Sequence, residues 1–162
     1  MSGIVAITLD GVLRSTTSGG PLRIGLMLYR ALEEHAALAV IADQDTEERA
    51  TYWLSNNGLD KHSYLVLAKD SDPLDPGERR VSQITRLKEA SSVDLLIDPD
   101  PEVVRAVMAS GTPVMLSLHP IYARPEFRPD YRSVAKPWDA LTREISRQQE
   151  LRSGDLREVE TI

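Results

Sequence analysis

Short apolar runs alternate with longer amphipathic stretches along most of the chain. Five of these runs are long enough to form a buried strand: Ile4 to Leu9, Leu38 to Ala42, Tyr64 to Ala68, Val93 to Ile97 and Pro113 to Leu118. Buried strands separated by helical patterns are typical of a parallel sheet with helices on both faces. The pattern therefore predicts a three-layer, Rossmann-like α/β fold built on a five-stranded parallel sheet.

Helical periodicity and capping residues predict where the intervening helices lie. The first helix begins near Pro21 and carries apolar residues at helical spacing, namely Ile24, Met27, Leu28, Ala31 and Leu32. Asp45 is placed to cap the second helix. Asp100 is placed to cap a later helix that Pro101 opens. The polar, glycine-ended loop 14–20 is predicted to be mobile and to lie above the end of the first strand.

The alternating pattern stops after the fifth run. Residues 1–118 are predicted to form the core domain, whereas residues 119–137 contain four prolines and no helical period. We expect residues 119–152 to form a strap and a last helix that pack on the core, and residues 153–162 to form a flexible tail. The last helix carries three apolar residues on one side: Trp138, Leu141 and Ile145.

Composition narrows the class of protein. The 162 residues include no cysteine, so no disulfide can form and a reducing compartment is favoured. The apolar runs are too short to cross a membrane, and the first lacks the basic leader of a signal peptide. We therefore expect a cytoplasmic protein with no membrane partner. The formal net charge of −6 argues against binding nucleic acid with the whole surface.

The first strand ends in residues that carry candidate chemistry. Thr8, Asp10 and Gly11 follow its apolar run, and a parallel strand delivers such residues to the carboxyl edge of the sheet, where α/β proteins place their sites. The segment Thr8-Leu-Asp-Gly-Val-Leu13 resembles the first motif of the haloacid dehalogenase-like (HAD) phosphohydrolase superfamily, an apolar strand followed by Asp-x-Asp-Gly-Thr/Val-Leu. The downstream order is similar, because the fourth strand ends in Asp98 and a proline-opened helix follows.

This resemblance covers about residues 3–118 and implies roles for four positions. In the family, the first aspartate becomes an aspartyl-phosphate, the second acts as general acid and base, and Mg²⁺ neutralises the transferred oxygens. Here the nucleophile position is Thr8 and the acid/base position is Asp10. Arg80 is nearest to the position of the family's lysine, and Asp98 matches its first magnesium carboxylate. Few residues are available for a cap domain, so the resemblance implies a capless, open site.

Three positions depart from the family in ways that weaken phosphoryl transfer. Thr8 is uncharged and a poor nucleophile without an adjacent base. Ala42 stands where the family's second strand ends in a hydroxyl residue that holds the phosphate, and Pro99 replaces the second magnesium carboxylate. We therefore expect a catalytically degenerate member of the superfamily.

Two functions of different classes follow from these departures. The favoured one is a non-catalytic module that binds a phosphorylated ligand, a nucleic-acid end or a protein partner. The alternative is a Mg²⁺-dependent phosphatase that uses Thr8, Asp10 and Arg80 as catalytic residues, with Asp10 and Asp98 as weak metal ligands. A third, structural interpretation makes the strap and last helix a homodimer contact.

Simpler interpretations of the same residues stay open. Asp10 is also a common turn residue ahead of a glycine, and Asp98 can begin the turn before Pro99. Aromatic residues alternate in the strap with basic ones, among them Arg124, Arg128 and Arg132. This combination binds single-stranded nucleic acid, but aromatic residues of a proline-rich segment also pin it to its own domain or to a partner.

Overall fold

Strands and helices alternate strictly in the computed structural model, which describes residues 3–119 and 141–147. The strands are β1 (Ile4–Thr8), β2 (Ala37–Ala42), β3 (Tyr64–Leu67), β4 (Val93–Asp98) and β5 (Val114–Leu116). The helices between them are α1 (Arg23–Leu32), α2 (Glu47–Asn56), α3 (Pro76–Ala90) and α4 (Pro101–Ala109). Each predicted apolar run therefore overlaps one strand, and β2 and β4 each extend one residue beyond their run.

The five strands form one parallel sheet in the order β3-β2-β1-β4-β5. β1 lies in the centre, between β2 and β4. The chain runs outward from β1 to β3 and then crosses back to β4, so the strand order reverses between β1 and β4. Crevices at such a reversal, outside the carboxyl ends of the strands, are where open α/β sheets bind ligands. The predicted α/β class is confirmed.

The two faces of the sheet are covered by different helices. On one face, Val5 and Ile7 of β1 pack with Tyr29 of α1 and Leu54 of α2. On the other face, Ile4 and Ala6 of β1 share a core cluster with residues of α3 and α4, including Ile84, Leu87, Val103 and Val107. Side chains alternate between faces along a strand, so Thr8 points to the side of α3 and α4.

Two predicted helix features differ from the structure. α1 buries Gly25 and Tyr29, whereas Ile24 and Met27 are 53 % and 56 % exposed. Gly25 is buried because α1 crosses the turn after β1 so closely that a Cβ on this residue would lie 1.9 Å from the carbonyl oxygen of Val12. α2 is capped by Thr46, whose side chain accepts the N–H of Arg49, and not by Asp45.

The C-terminal predictions lie largely outside the described residues. This holds for residues 120–140, which include most of the strap with Arg124, Arg128 and Arg132, and for the tail. Residues 141–147 are helical, but Ile145 is 48 % exposed and Glu144 is the buried residue, so the predicted apolar side of this helix is wrong at Ile145. In the described part of the chain, no helix is long and apolar enough to cross a membrane.

Candidate functional site

Three polar side chains meet at the carboxyl edge of the central strands. Thr8 and Asp98 are the last residues of β1 and β4, and Asp43 follows β2 directly. All three are fully buried. By strand alternation they point to the side of α3 and α4, from which Arg80 and Asp100 approach. We refer to these five residues, Thr8, Asp43, Arg80, Asp98 and Asp100, as the inner network.

Asp98 lies at the centre of the inner network, and both of its carboxylate oxygens accept hydrogen bonds. Thr8 Oγ1 donates a hydrogen bond of 2.6 Å to Asp98 Oδ2. The backbone N–H of Asp100 donates to Asp98 Oδ1 at 2.8 Å, which is the turn role considered for Asp98. Thr8 and Asp98 therefore lie in direct contact across the crevice between β1 and β4.

Arg80 reaches three carboxylates from α3. Its Nη1 lies 3.4 Å from Asp43 Oδ2 and its Nη2 donates to Asp100 Oδ2 at 3.2 Å. Its Nε lies 3.0 Å from Asp98 Oδ2, an ion-pair distance, although the N–H direction does not satisfy hydrogen-bond geometry. Asp100 also caps α4 by accepting the N–H of Glu102 at 2.9 Å. The guanidinium of Arg80 is therefore ion-paired with three carboxylates of the protein.

Asp43 and Asp98, which face the guanidinium of Arg80, both have a raised pKa because they are fully buried. Burial raises the pKa of Asp98 to about 6, against the opposing effects of Arg80 and the Thr8 hydroxyl. Burial also raises the pKa of Asp43, again opposed by Arg80. Asp43 Oδ1 is buried without a hydrogen-bond partner. The raised pKa values mean that Asp43 and Asp98 bind a proton more readily than exposed aspartates do.

Asp10 belongs to a separate group on the side of α2. Arg14 Nε and Nη2 donate to the two carboxylate oxygens of Asp10 at 2.7 and 2.9 Å, and Nη2 also donates to Asp45 at 2.5 Å. The guanidinium carbon lies 5.7 Å from the ring centroid of Trp53 on α2, within cation–π range. The hydrogen bond to Asp10 is the main cause that raises the pKa of Arg14. We call Asp10, Arg14, Asp45 and Trp53 the outer network.

Hydrogen bonds tie loop 14–20 to the outer network. Trp53 Nε1 donates to the carbonyl of Gly19 at 2.9 Å. The backbone N–H of Ser15 donates to the carbonyl of Gly20 at 2.8 Å, and the N–H of Gly19 donates to the carbonyl of Ser15 at 2.9 Å. These hydrogen bonds anchor the backbone of the loop, and its mobility stays a prediction.

The turns after β1 and β4 pack against each other through Gly11 and Pro99. Gly11 has φ +93°, and a Cβ at this position would lie 2.6 Å from Pro99 Cγ. Glycine is required here for both the left-handed backbone and the close approach. Pro99 thus fills the space over the turn that carries Asp10.

The side chains present do not fit a divalent cation. In residues 3–119 and 141–147, no three His, Cys, Asp or Glu side chains are grouped to hold a metal ion. Of the two predicted ligands, Asp10 has both oxygens occupied by Arg14 and Asp98 has both oxygens occupied by Thr8 and the turn N–H. Mg²⁺ demands several oxygens in near-octahedral geometry, and these oxygens already accept protein donors.

Sequence reasoning placed Thr8, Arg80 and Asp98 at one edge, and the structure brings these three together. It did not foresee the partners of Asp10. The spacing of Arg14, four residues after Asp10, was a usable signal, since such a pair can meet within a single turn. Asp43 carried a weaker signal as the polar residue that ends an apolar run. The sequence predicts that Asp45 caps α2, whereas in the structure Asp45 accepts a hydrogen bond from Arg14.

Comparison with known proteins gives no family assignment. No protein-family model matches the chain, and no curated protein is significantly similar to it. The likeness to the HAD superfamily therefore depends on the Thr8-to-Leu13 motif and on the order of the elements.

Proposed function

We propose that this protein is a catalytically degenerate HAD-like module that binds a protein partner at the carboxyl edge of its sheet. The observation that carries the proposal is the contact of 2.6 Å between the Thr8 hydroxyl and Asp98. In the HAD pattern this position holds a carboxylate that attacks phosphorus, whereas here the side chain is neutral, fully buried and committed to a hydrogen bond.

The residues that could bind phosphate are already paired. Arg80 and Arg14 are engaged with five aspartates: Asp10, Asp43, Asp45, Asp98 and Asp100. A cavity of about 550 Å³ between the starts of α3 and α4 is lined by four acidic residues, Asp75, Glu78, Asp100 and Glu102, against one basic residue, Arg105. Excess negative charge repels a phosphate dianion, so a phosphorylated ligand or a nucleic-acid end is disfavoured.

Exposed apolar side chains support a protein partner instead. Ile24 and Met27 lie adjacent on the outer surface of α1, and Leu74, in the loop before α3, is 89 % exposed. α1 follows β1 through the loop 14–20, so its N-terminal turn lies near the carboxyl edge. Apolar residues, methionine included, are typical of the centres of protein interfaces.

The alternative is a Mg²⁺-dependent phosphatase, and one observation favours it. A carboxylate with a pKa of about 6 at 2.6 Å from a hydroxyl is the kind of base that a threonine nucleophile needs. Against it, Thr8 and Asp98 are both inaccessible to solvent. A phosphorus atom cannot reach Thr8 Oγ1 without opening the crevice.

Phosphate release separates the two functions. We would incubate the wild type, Asp10→Asn and Thr8→Asp with Mg²⁺ and an aryl phosphate, or with 3'- or 5'-phosphorylated oligonucleotides. We expect no turnover by the wild type above that of Asp10→Asn. Wild-type turnover that disappears in Asp10→Asn would establish the phosphatase. Activity gained by Thr8→Asp alone would show that only the attacking group is missing.

Ligand titration separates the classes of binding partner. Inorganic phosphate and a phosphorylated oligonucleotide are titrated into the labelled protein while backbone amide NMR signals are followed. We expect no saturable shift at Thr8, Asp98 or Asp100. Saturable shifts there that are absent in Arg80→Gln would favour a phosphorylated ligand over a protein partner.

A further inference from the structure

Asp10 is the less buried of the two aspartates that the HAD resemblance assigns to a metal. Its side chain is 14 % exposed, whereas Asp98 is fully buried. Any cation that entered the edge of the sheet from solvent would meet Asp10 before Asp98. The residue that binds Asp10 therefore decides whether a cation can be held there.

Arg14 binds Asp10 with the geometry that competes best with a metal. Its Nε and Nη2 lie 2.7 and 2.9 Å from the two oxygens of Asp10, a bidentate pair that uses the whole carboxylate. Its Nη2 also binds Asp45, whose side chain is only 6 % exposed. A divalent cation would have to displace two hydrogen bonds from Asp10 and lose part of its own hydration shell.

The position of Arg14 is fixed by its backbone as well as its side chain. The N–H of Arg14 donates to the carbonyl of Leu9 at 2.9 Å, and the carbonyl of Arg14 accepts the N–H of Gly11 at 2.8 Å. The guanidinium carbon lies 5.7 Å from the ring centroid of Trp53, which is itself hydrogen-bonded to loop 14–20. Arg14 cannot withdraw from Asp10 by a simple side-chain rotation without losing the Asp45 and Trp53 contacts.

We propose that Arg14 is a resident counter-ion that occupies the place of a divalent cation at Asp10 and excludes Mg²⁺ and similar ions from this edge. The positive charge that the HAD pattern takes from a metal is supplied here by a side chain of the protein. The inference goes beyond the proposed function and holds for any partner.

The test measures Mn²⁺ and Mg²⁺ binding without reference to activity. Thermal unfolding in EDTA is compared with unfolding in either cation, and binding is measured by calorimetry. We expect the wild type to unfold at the same temperature in all three conditions. Arg14→Met, which keeps a stem over Trp53 but removes the charge, should gain a cation-dependent rise in the unfolding temperature. The double variant Arg14→Met/Asp10→Asn should lose that gain.

Arg49→Met is the matched control. Arg49 Nε lies 3.9 Å from Asp45 Oδ1 and its side chain is 76 % exposed, so this variant removes a charge near the same carboxylate without freeing Asp10. It should behave as the wild type. Arg14→Gln repeats the test with a polar side chain if Arg14→Met does not fold.

Two results overturn the inference. The first is a wild-type response to Mn²⁺ or Mg²⁺ that Asp10→Asn abolishes. The second is a folded Arg14→Met or Arg14→Gln variant that gains no cation affinity. These outcomes are distinct from failure of the proposed function: turnover without a metal refutes only that function, and cation binding without turnover refutes only the inference.

Discussion

The two networks at the end of β1 use the same groups in different surroundings. In the inner network, Arg80 is 9 % exposed and its partners Asp43 and Asp98 are 0 % exposed. In the outer network, Arg14 and Asp10 are 15 % and 14 % exposed. Both join an arginine to aspartates, but only the inner one contains two aspartates that are fully shut off from water, Asp43 and Asp98.

This difference in burial suggests that the inner network stabilises the fold, whereas the outer network controls what can reach Asp10. Removing one partner from a buried ion pair leaves an uncompensated charge in a poorly solvated place, whereas a pair near solvent is replaced largely by water. The inner network should therefore determine stability. The outer network should contribute less to stability and determine what can approach Asp10.

The largest effect is expected for Arg80→Met. The substitution strands Asp43 and Asp98, and we expect a loss of about 3–5 kcal/mol in the free energy of unfolding at neutral pH. Urea denaturation followed by circular dichroism measures it. Arg105→Met, on α4, removes an arginine that is 45 % exposed and pairs with exposed Glu102, and should cost less than about 0.5 kcal/mol. Equal losses in the two variants would erase the distinction between the networks.

The next effect is a pH dependence that belongs to the inner network. Folded Asp98 keeps its proton up to a pKa of about 6, whereas the unfolded chain releases it near pH ~4. The folded state binds more protons in this window, so the stability contributed by Asp98 is complete below it and falls by about 3 kcal/mol as the pH rises through it. Asp98→Asn should flatten the fall measured by denaturation at successive pH values. A stability that rises from pH ~4 to pH ~6 in the wild type but not in Asp98→Asn contradicts a raised pKa.

Thr8→Val tests the central hydrogen bond without changing the shape of the side chain. Loss of a donor to a buried carboxylate should cost about 1.5–3 kcal/mol. It should also raise the pKa of Asp98 further, because the Thr8 hydroxyl lowers it. Carboxyl-carbon NMR titration measures the pKa, and Thr8→Ser, which keeps the hydroxyl, is the control. An unchanged pKa in Thr8→Val would mean that the hydroxyl does not stabilise the carboxylate.

Among substitutions in the two networks, the smallest effect on stability is expected for Arg14→Met. Because the outer network is partly solvated, we expect a loss of about 1 kcal/mol in the free energy of unfolding. Chemical denaturation at low and high salt provides the measurement, and salt should reduce the difference from the wild type. A loss as large as that of Arg80→Met would assign both networks to stability.

The sequence predicted the sheet well because buried strands leave a local signal. Each apolar run is bounded by polar or turn residues, and the proline-opened helix after Asp98 begins at Pro101, with Asp100 as its cap. The buried side of α1 could not be predicted from its own periodicity. Ile24, Met27 and Leu28 form an apolar stripe, but the close crossing at Gly25 turns another side of the helix toward the sheet.

The sequence predicted where the candidate site lies, but it did not predict which arginine pairs with which aspartate. Strand ends placed Thr8 and Asp98 together, because parallel strands share a carboxyl edge, and the HAD resemblance added Arg80 of α3. Which arginine meets which aspartate depends on contacts between residues far apart in the chain, such as Arg14 with Asp45. Asp45 and Thr46 are both residue types that favour the N-cap position. Asp45 accepts a hydrogen bond from Arg14, and Thr46 caps α2.

The fluorescence of Trp53, whose ring lies beneath the guanidinium of Arg14, is a signal that reports on the outer network. The indole lies against a cation on one side and is hydrogen-bonded to Gly19 through its nitrogen. In a Trp138→Phe background the tryptophan emission comes from this ring alone, so its wavelength and intensity report on changes around Arg14 and Gly19. Encounters at this end of the sheet can thus be followed in solution without any attached dye.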